Sequence, residues 1–300
     1  MMELDSVVVN AQVVEVALEY LTSPTESLLS ELASCTAAKK THAHALRFGN
    51  TEASLLDFWL TILTEATRHQ PDYEKHIRSN LRYLQFNRGT LLSAIQELKK
   101  YLPSDYSLQT HLNLILGYDV GIVSQGEAML NIAHPHFSSD RRELVYMAMH
   151  ELHHVGYTDY HPIYSLADLQ TVADLRDAMR YSTHLEGLAV YAPMDRRISE
   201  NGLGHEDYHL LLDSDERQAR VTEYFEILEG LDEVGSRELT DLDFEVMEKM
   251  SSTGNRLWYV AGAHMSETID ENLGREMLTQ TIVGGPDSFF DAYKKAKNVG

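Results

Sequence analysis

Residues 144–149, Leu-Val-Tyr-Met-Ala-Met, form an apolar run with no polar face, and the run passes directly into His150-Glu151-Leu152-His153-His154. A helix that is apolar all round must be buried, so two histidines and a glutamate near its end need partners there. The start of this helix is read at Asp140, with Glu143 three residues on as a capping-box partner, and Gly156 is read as its C-terminal stop. Positions 150 and 154 lie one helical turn apart on one face. Two imidazoles so placed can share a tetrahedral metal and leave two corners, one for a third protein ligand and one for water. Glu151 projects about 100° round the helix, beside the metal rather than on it, where its carboxylate can take a proton from the attacking water. His153 points away from the shared face and is assigned a structural role. The plainer alternative is a core helix with hydrogen-bonded histidines.

The rest of the chain limits what such a helix can serve. At 300 residues and 43% hydrophobic content there is material for one large domain or two intimately packed ones. A net charge of −21, with no Lys/Arg block, argues against nucleic acid as a partner. Cys35 is the only cysteine, which excludes an intrachain disulfide framework and a cysteine-based zinc site and suits a reducing compartment. No basic region followed by a long apolar stretch opens the chain, and no run approaches the ~18 apolar residues of a membrane span. The expectation is a cytoplasmic protein that meets neither membrane nor nucleic acid.

Three regions follow from the patterning and are read as one integrated unit: a helical N-terminal region over 1–105, a core over 106–192 and a mainly helical region over 193–300. In the first, Val13, Val16, Ala17 and Leu21 recur at helix spacing. His42, His44, His69 and His76 lack ligand spacing and are read as surface or hydrogen-bonding residues. In the second, Leu112–Leu116, Val120–Val123 and Ala128–Ile132 read as strands, with a turn at Ser124-Gln125-Gly126. His134 and His136 lie in the connection to the histidine-bearing helix. Beyond it, one helix is expected over Ser165–Tyr181 and another from Thr183 to Ala192.

Four residues compete for the third ligand position. Glu186 stands 32 positions beyond His154, on the second of those helices, where small Gly187 and Ala189 permit close approach. Thr183 and Glu186 are also spaced as a capping box, so Glu186 has a purely structural reading too. Asp159 and His161 are the local rivals, and Asp174 is possible by position.

The pair His150-Glu151-Leu152-His153-His154 and Glu186-Gly187-Leu188-Ala189 resembles the zincin metallopeptidases of the glutamate-ligand class, in particular their uncharacterised zinc-dependent peptidase branches. The resemblance covers about residues 110–192, and Tyr259-Val260-Ala261-Gly262 and Gly285-Pro286 are weaker signals. The 32-residue spacing is longer than in the thermolysin type, and no Asn-Glu-x-x-x-Asp surrounds Glu186. The resemblance implies an α+β zincin-like fold, mostly helical, with a small mixed or antiparallel sheet beside the motif helix. It implies one Zn²⁺ per chain on His150, His154 and Glu186, Glu151 as general base, and Tyr259 or His264 as the oxyanion donor. A peptide or protein substrate is expected to pair with the strand around Ala128–Ile132, read as a sheet edge. The alternatives are a metal-binding protein of this fold without turnover, and a di-metal carboxylate bundle built on Glu151-Leu152-His153-His154 and Glu206-Asp207-Tyr208-His209.

Overall fold

The computed structural model describes residues 2–4, 6–69, 72–164 and 168–299. Ser165, and the side chain of His69, lie outside what it describes. Five strands and fourteen α-helices are present among the described residues: β1 (Met2–Leu4), β2 (Val7–Asn10), α1 (Gln12–Thr22), α2 (Glu26–Ser34), α3 (Thr36–Arg47), α4 (Leu55–His69), α5 (Tyr73–Phe86), α6 (Arg88–Leu98), β3 (Thr110–Ile115), β4 (Gly121–Ser124), β5 (Glu127–Asn131), α7 (Glu143–Thr158), α8 (Val172–Tyr191), α9 (Met194–Ser199), α10 (Glu206–Leu212), α11 (Ser214–Val234), α12 (Asp241–Ser251), α13 (Leu257–Leu273) and α14 (Arg275–Lys297). The architecture is therefore mostly helical with one small mixed sheet. None of the described helices is long and apolar enough to cross a membrane.

The chain divides into two compact units, the first comprising residues 1–96 and 107–155 and the second residues 97–106 and 156–300. The first unit holds the sheet, in the order β1-β2-β3-β5-β4. β2, β3 and β5 run parallel, while β1 and β4 are antiparallel to their neighbours. A strand thus precedes α1, because Val7-Val8-Val9 is a β-branched run that pairs with Thr110–Leu112. The β4–β5 hairpin turns on Gln125 and Gly126, both left-handed at φ 51° and 72°, as a two-residue hairpin requires. The sheet order corrects the expected edge. β5 lies between β3 and β4 with Ala128–Leu130 buried, so it is interior, and β4 is terminal. Chain order alone conceals this, since the hairpin folds its second strand inward.

The second unit is built around α13, which packs on α8, α10, α11, α12 and α14. α8 is a single 20-residue helix, capped by Thr171 and Asp174 in a reciprocal capping box. This corrects the reading of two helices: Thr183 is interior, and its Oγ1 donates to the Met179 carbonyl and is hydrogen-bonded to the Tyr224 hydroxyl. α14 is broken at Gly285, which adopts φ 79° ahead of Pro286. Proline has no N–H to give the carbonyl four residues back, and His161 Nε2 meets that carbonyl, Ile282 O, at 2.6 Å.

Candidate metal and catalytic site

α7 carries the motif. Leu144, Val145, Tyr146, Ala148, Met149, Leu152 and Val155 are all buried, as the apolar run demands. Asp140 Oδ1 accepts from the Arg142 amide at the entry to the helix. Glu143 is buried and meets His136 Nε2 at 3.2 Å, a role the capping-box reading did not anticipate. His134 is in turn tied to His136 through its Nδ1, which accepts the His136 amide. Gly156 does not end the helix, which continues to Thr158; a β-carbon there would stand 2.5 Å from Leu102 Cδ2. Gly156 therefore answers a close side-chain approach and not a chain reversal.

His150 and His154 project together. Their Nε2 atoms are 2.9 Å apart and their rings meet edge to face with centroids 4.5 Å apart. Both bring Nε2 to the same place, an arrangement open to two ligands of a shared cation. His153 is fully buried. Glu151, 4% exposed, lies against the terminal strand: a β-carbon on Gly121 would fall 2.3 Å from Glu151 Oε1 and 2.4 Å from its Cδ. Gly121 is thus the reason this carboxylate can reach the strand, and sequence reading missed it. The available signal is an isolated glycine within a β-branched strand pattern, which marks a close approach.

Glu186 is half-buried on α8. The helix is held to α13 at a glycine-on-glycine contact: a β-carbon on Gly187 would lie 2.3 Å from the Gly262 carbonyl carbon, and one on Gly262 would lie 2.2 Å from Thr183 O. Tyr259 is one turn before Gly262, on the same side of α13. Burial, and then the negative charge of Glu186, push its phenol well above the ordinary tyrosine range, so it is a hydroxyl donor at any physiological pH. The Arg256 guanidinium sits 3.5 Å from the centre of the Tyr259 ring. Burial opposes its charge, but the Asp207 carboxylate more than compensates and raises it. Neither Arg256 nor Asp207 carries a spacing that identifies it in the sequence.

His264 faces the other way from Tyr259, into a cavity of about 550 Å³ lined by Phe225, Phe290 and Tyr293 among others. Burial, then the charges of Arg217 and Lys297, lower its pKa to about 4. The rivals for the third ligand position have other partners. Asp159 accepts from the Tyr106 hydroxyl at 2.6 Å, His161 serves the Ile282 carbonyl, and Asp174 caps α8. Glu206, from the di-metal alternative, accepts from the Gly254 amide.

Among the described residues, His150 and His154 on α7 and Glu186 on α8 are the histidine and acidic side chains that could make up a group holding an ion. Two imidazole nitrogens and one carboxylate oxygen are a donor set suited to zinc, and three protein ligands leave a position for water. No curated protein and no solved structure matches the chain. A family model does, over residues 48–298, and the chain belongs to the family described as Putative zinc dependent peptidase (DUF5700).

Proposed function

We propose that the protein is a zinc-dependent peptidase of the zincin type, with His150, His154 and Glu186 as ligands, Glu151 as general base and Tyr259 as the oxyanion donor. The observation that carries this reading is the pair of His150 and His154 Nε2 atoms 2.9 Å apart on α7, with the Glu151 carboxylate on the same helix, in a chain whose family is described as zinc dependent; Glu186 is the carboxylate that would complete the donor set. His150, His154 and Glu186 would hold the ion, which when bound would supply Lewis acidity toward a scissile carbonyl and a water. Glu151 accepts the proton of the attacking water and hands it to the leaving amine. Its contact with Gly121 puts that exchange beside β4, the terminal strand of the sheet among the described residues and the one on which an extended peptide would pair. The Tyr259 hydroxyl, kept protonated by burial and by Glu186, donates to the oxygen on which negative charge develops.

The test is zinc content and peptide hydrolysis measured together. About one zinc per chain is expected in the parent, and Glu186→Ala, like His150→Ala or His154→Ala, loses it, because three ligands are the minimum of a tetrahedral site with water. Glu151→Gln keeps the zinc and loses hydrolysis by ~10²–10⁴-fold, the usual worth of a general base. Zinc retained in full by Glu186→Ala refutes the ligand set. Two iron or manganese ions per chain favour the carboxylate bundle instead. A stoichiometric zinc protein with no hydrolysis of any peptide tried favours the reading of a metal-binding protein without turnover.

A further inference from the structure

We infer that Asp207 and Arg256 are positioning residues for the reaction, a buried clamp that fixes the ring of Tyr259 and thereby the place of its hydroxyl beside Glu186. The inference rests on the reading of Glu186 as a ligand and Tyr259 as a donor.

Three observations converge on Arg256. Its guanidinium makes two hydrogen bonds to one carboxylate, Nε to Asp207 Oδ1 at 2.5 Å and Nη2 to Oδ2 at 2.7 Å. The same planar group lies 3.5 Å from the centre of the Tyr259 ring. Its backbone is left-handed, φ 53° and ψ 33°, at the residue that opens α13. A non-glycine residue in this region is held there only when its surroundings over-determine it. Here they do. Asp207 is 2% exposed and lies in the first turn of α10, where His205 Nδ1 accepts its amide. Glu206 accepts the Gly254 amide and Arg220 donates to the Gly254 carbonyl, so the segment before Arg256 is tied down from both sides.

Stability is a weak account of this arrangement. An ion pair taken out of water is often no better than apolar residues of the same volume, since desolvation of both ions offsets their attraction. A bidentate pair does supply direction: the plane of the guanidinium is set by the carboxylate, and the plane sets the ring stacked on it. Tyr259 lies three residues after Arg256 and one turn before Gly262 on α13. The ring also meets Trp258, with centroids 5.9 Å apart, and the guanidinium plane adds a fixed direction for χ2. An oxyanion donor is useful only if its hydroxyl is held where charge develops, and a misplacement of about 1 Å costs on the order of 10²-fold in rate.

Incorporation of 3-fluorotyrosine places a ¹⁹F reporter on all 16 tyrosines, and the line absent from Tyr259→Phe identifies position 259. Arg256→Lys keeps the charge but not the fork or the plane, and Asp207→Asn keeps the volume but weakens the pair. In both, the Tyr259 line is expected to shift or broaden and its response to added zinc to shrink, with zinc still bound. kcat falls ~10–100-fold at a KM within a factor of about two. Because Arg256 acts through Tyr259, Arg256→Lys combined with Tyr259→Phe turns over no more slowly than Tyr259→Phe alone. If Arg256→Lys does not fold, Asp207→Asn carries the same measurements. A Tyr259 line and zinc response unchanged in a folded variant overturn the inference, as do losses that multiply in the double variant. A parent chain that takes up no zinc overturns the site reading instead, so the two failures are separable.

Discussion

Gly262→Ala probes the contact that sets the spacing of α8 and α13. The added methyl would lie 2.2 Å from Thr183 O and 2.7 Å from Gly187 Cα. Both are backbone atoms, so no rotamer change relieves the overlap. Non-bonded carbons rest at about 3.5–4.0 Å, so the helices must part by roughly 1 Å. Overpacking of this kind costs ~1–3 kcal/mol and sometimes more, and alanine returns up to about 1 kcal/mol of helix propensity. Because two backbone segments obstruct the methyl, the upper part of the range applies and the net loss should be about 2 kcal/mol, or roughly 4–8 °C in Tm for a domain of this size. Gly230→Ala, inside α11, is the control: its β-carbon meets nothing within 4 Å, so only the propensity gain remains. Thermal and denaturant unfolding of the two variants should move in opposite directions. Since Glu186 precedes Gly187 on the displaced helix, Gly262→Ala should also weaken zinc uptake, while Gly230→Ala leaves it alone. Equal stability of the two variants would refute the argument.

Gly121→Ala tests the approach of Glu151 to β4. The new methyl overlaps the end of a side chain and not backbone, so the carboxylate moves and the fold does not. Hydrolysis should fall at least ~10-fold for a misplaced base with Tm and zinc content unchanged, and full activity would show that the approach has no role. The third prediction concerns acid. His264 in the folded chain titrates at about 4 instead of 6.5, so between these values the unfolded chain binds a proton that the folded chain does not. Stability therefore falls as pH drops from 6.5 toward 4. His264→Gln should make denaturant midpoints less pH-dependent in that window, and an unchanged pH dependence would rule the histidine out as a contributor.

The motif was legible because its geometry is local. His150, Glu151 and His154 sit within five residues on one helix, and the period of α7 fixes their directions without reference to the rest of the chain. Glu186 stands in the sequence as one of four candidates for the third ligand position, because no local spacing ranks them. The Thr183-x-x-Glu186 pattern suggested a helix start, yet the same chemistry twelve residues earlier, at Thr171 and Asp174, is the real one. Local pattern cannot rank two capping boxes when burial decides between them: Thr183 is wholly buried and hydrogen-bonded to Tyr224, a partner 41 residues away. The interior place of β5 was hidden for the same reason, since the hairpin turn at Gln125-Gly126 is local while the parallel pairing of Leu112–Ile115 with Ala128–Asn131 is not.

The division between legible and hidden also has a chemical side. Metal ligands belong to a few residue types at restricted spacings, so chance agreement is limited and a single helix can declare itself. The groups that orient catalytic side chains obey no such spacing. Asp207 and Arg256 are 49 residues apart, and any acidic and basic residue brought together by the fold makes such a pair. What distinguishes this one is that it is desolvated, bidentate and stacked on an aromatic ring, properties that exist only after α10 and α13 have packed. The same holds for Gly121 and Gly262, whose missing β-carbons are explained by side chain and backbone distant in sequence. Sequence thus reports the atoms that can do chemistry, while the atoms that hold them in place are defined by the packing and become visible only with it.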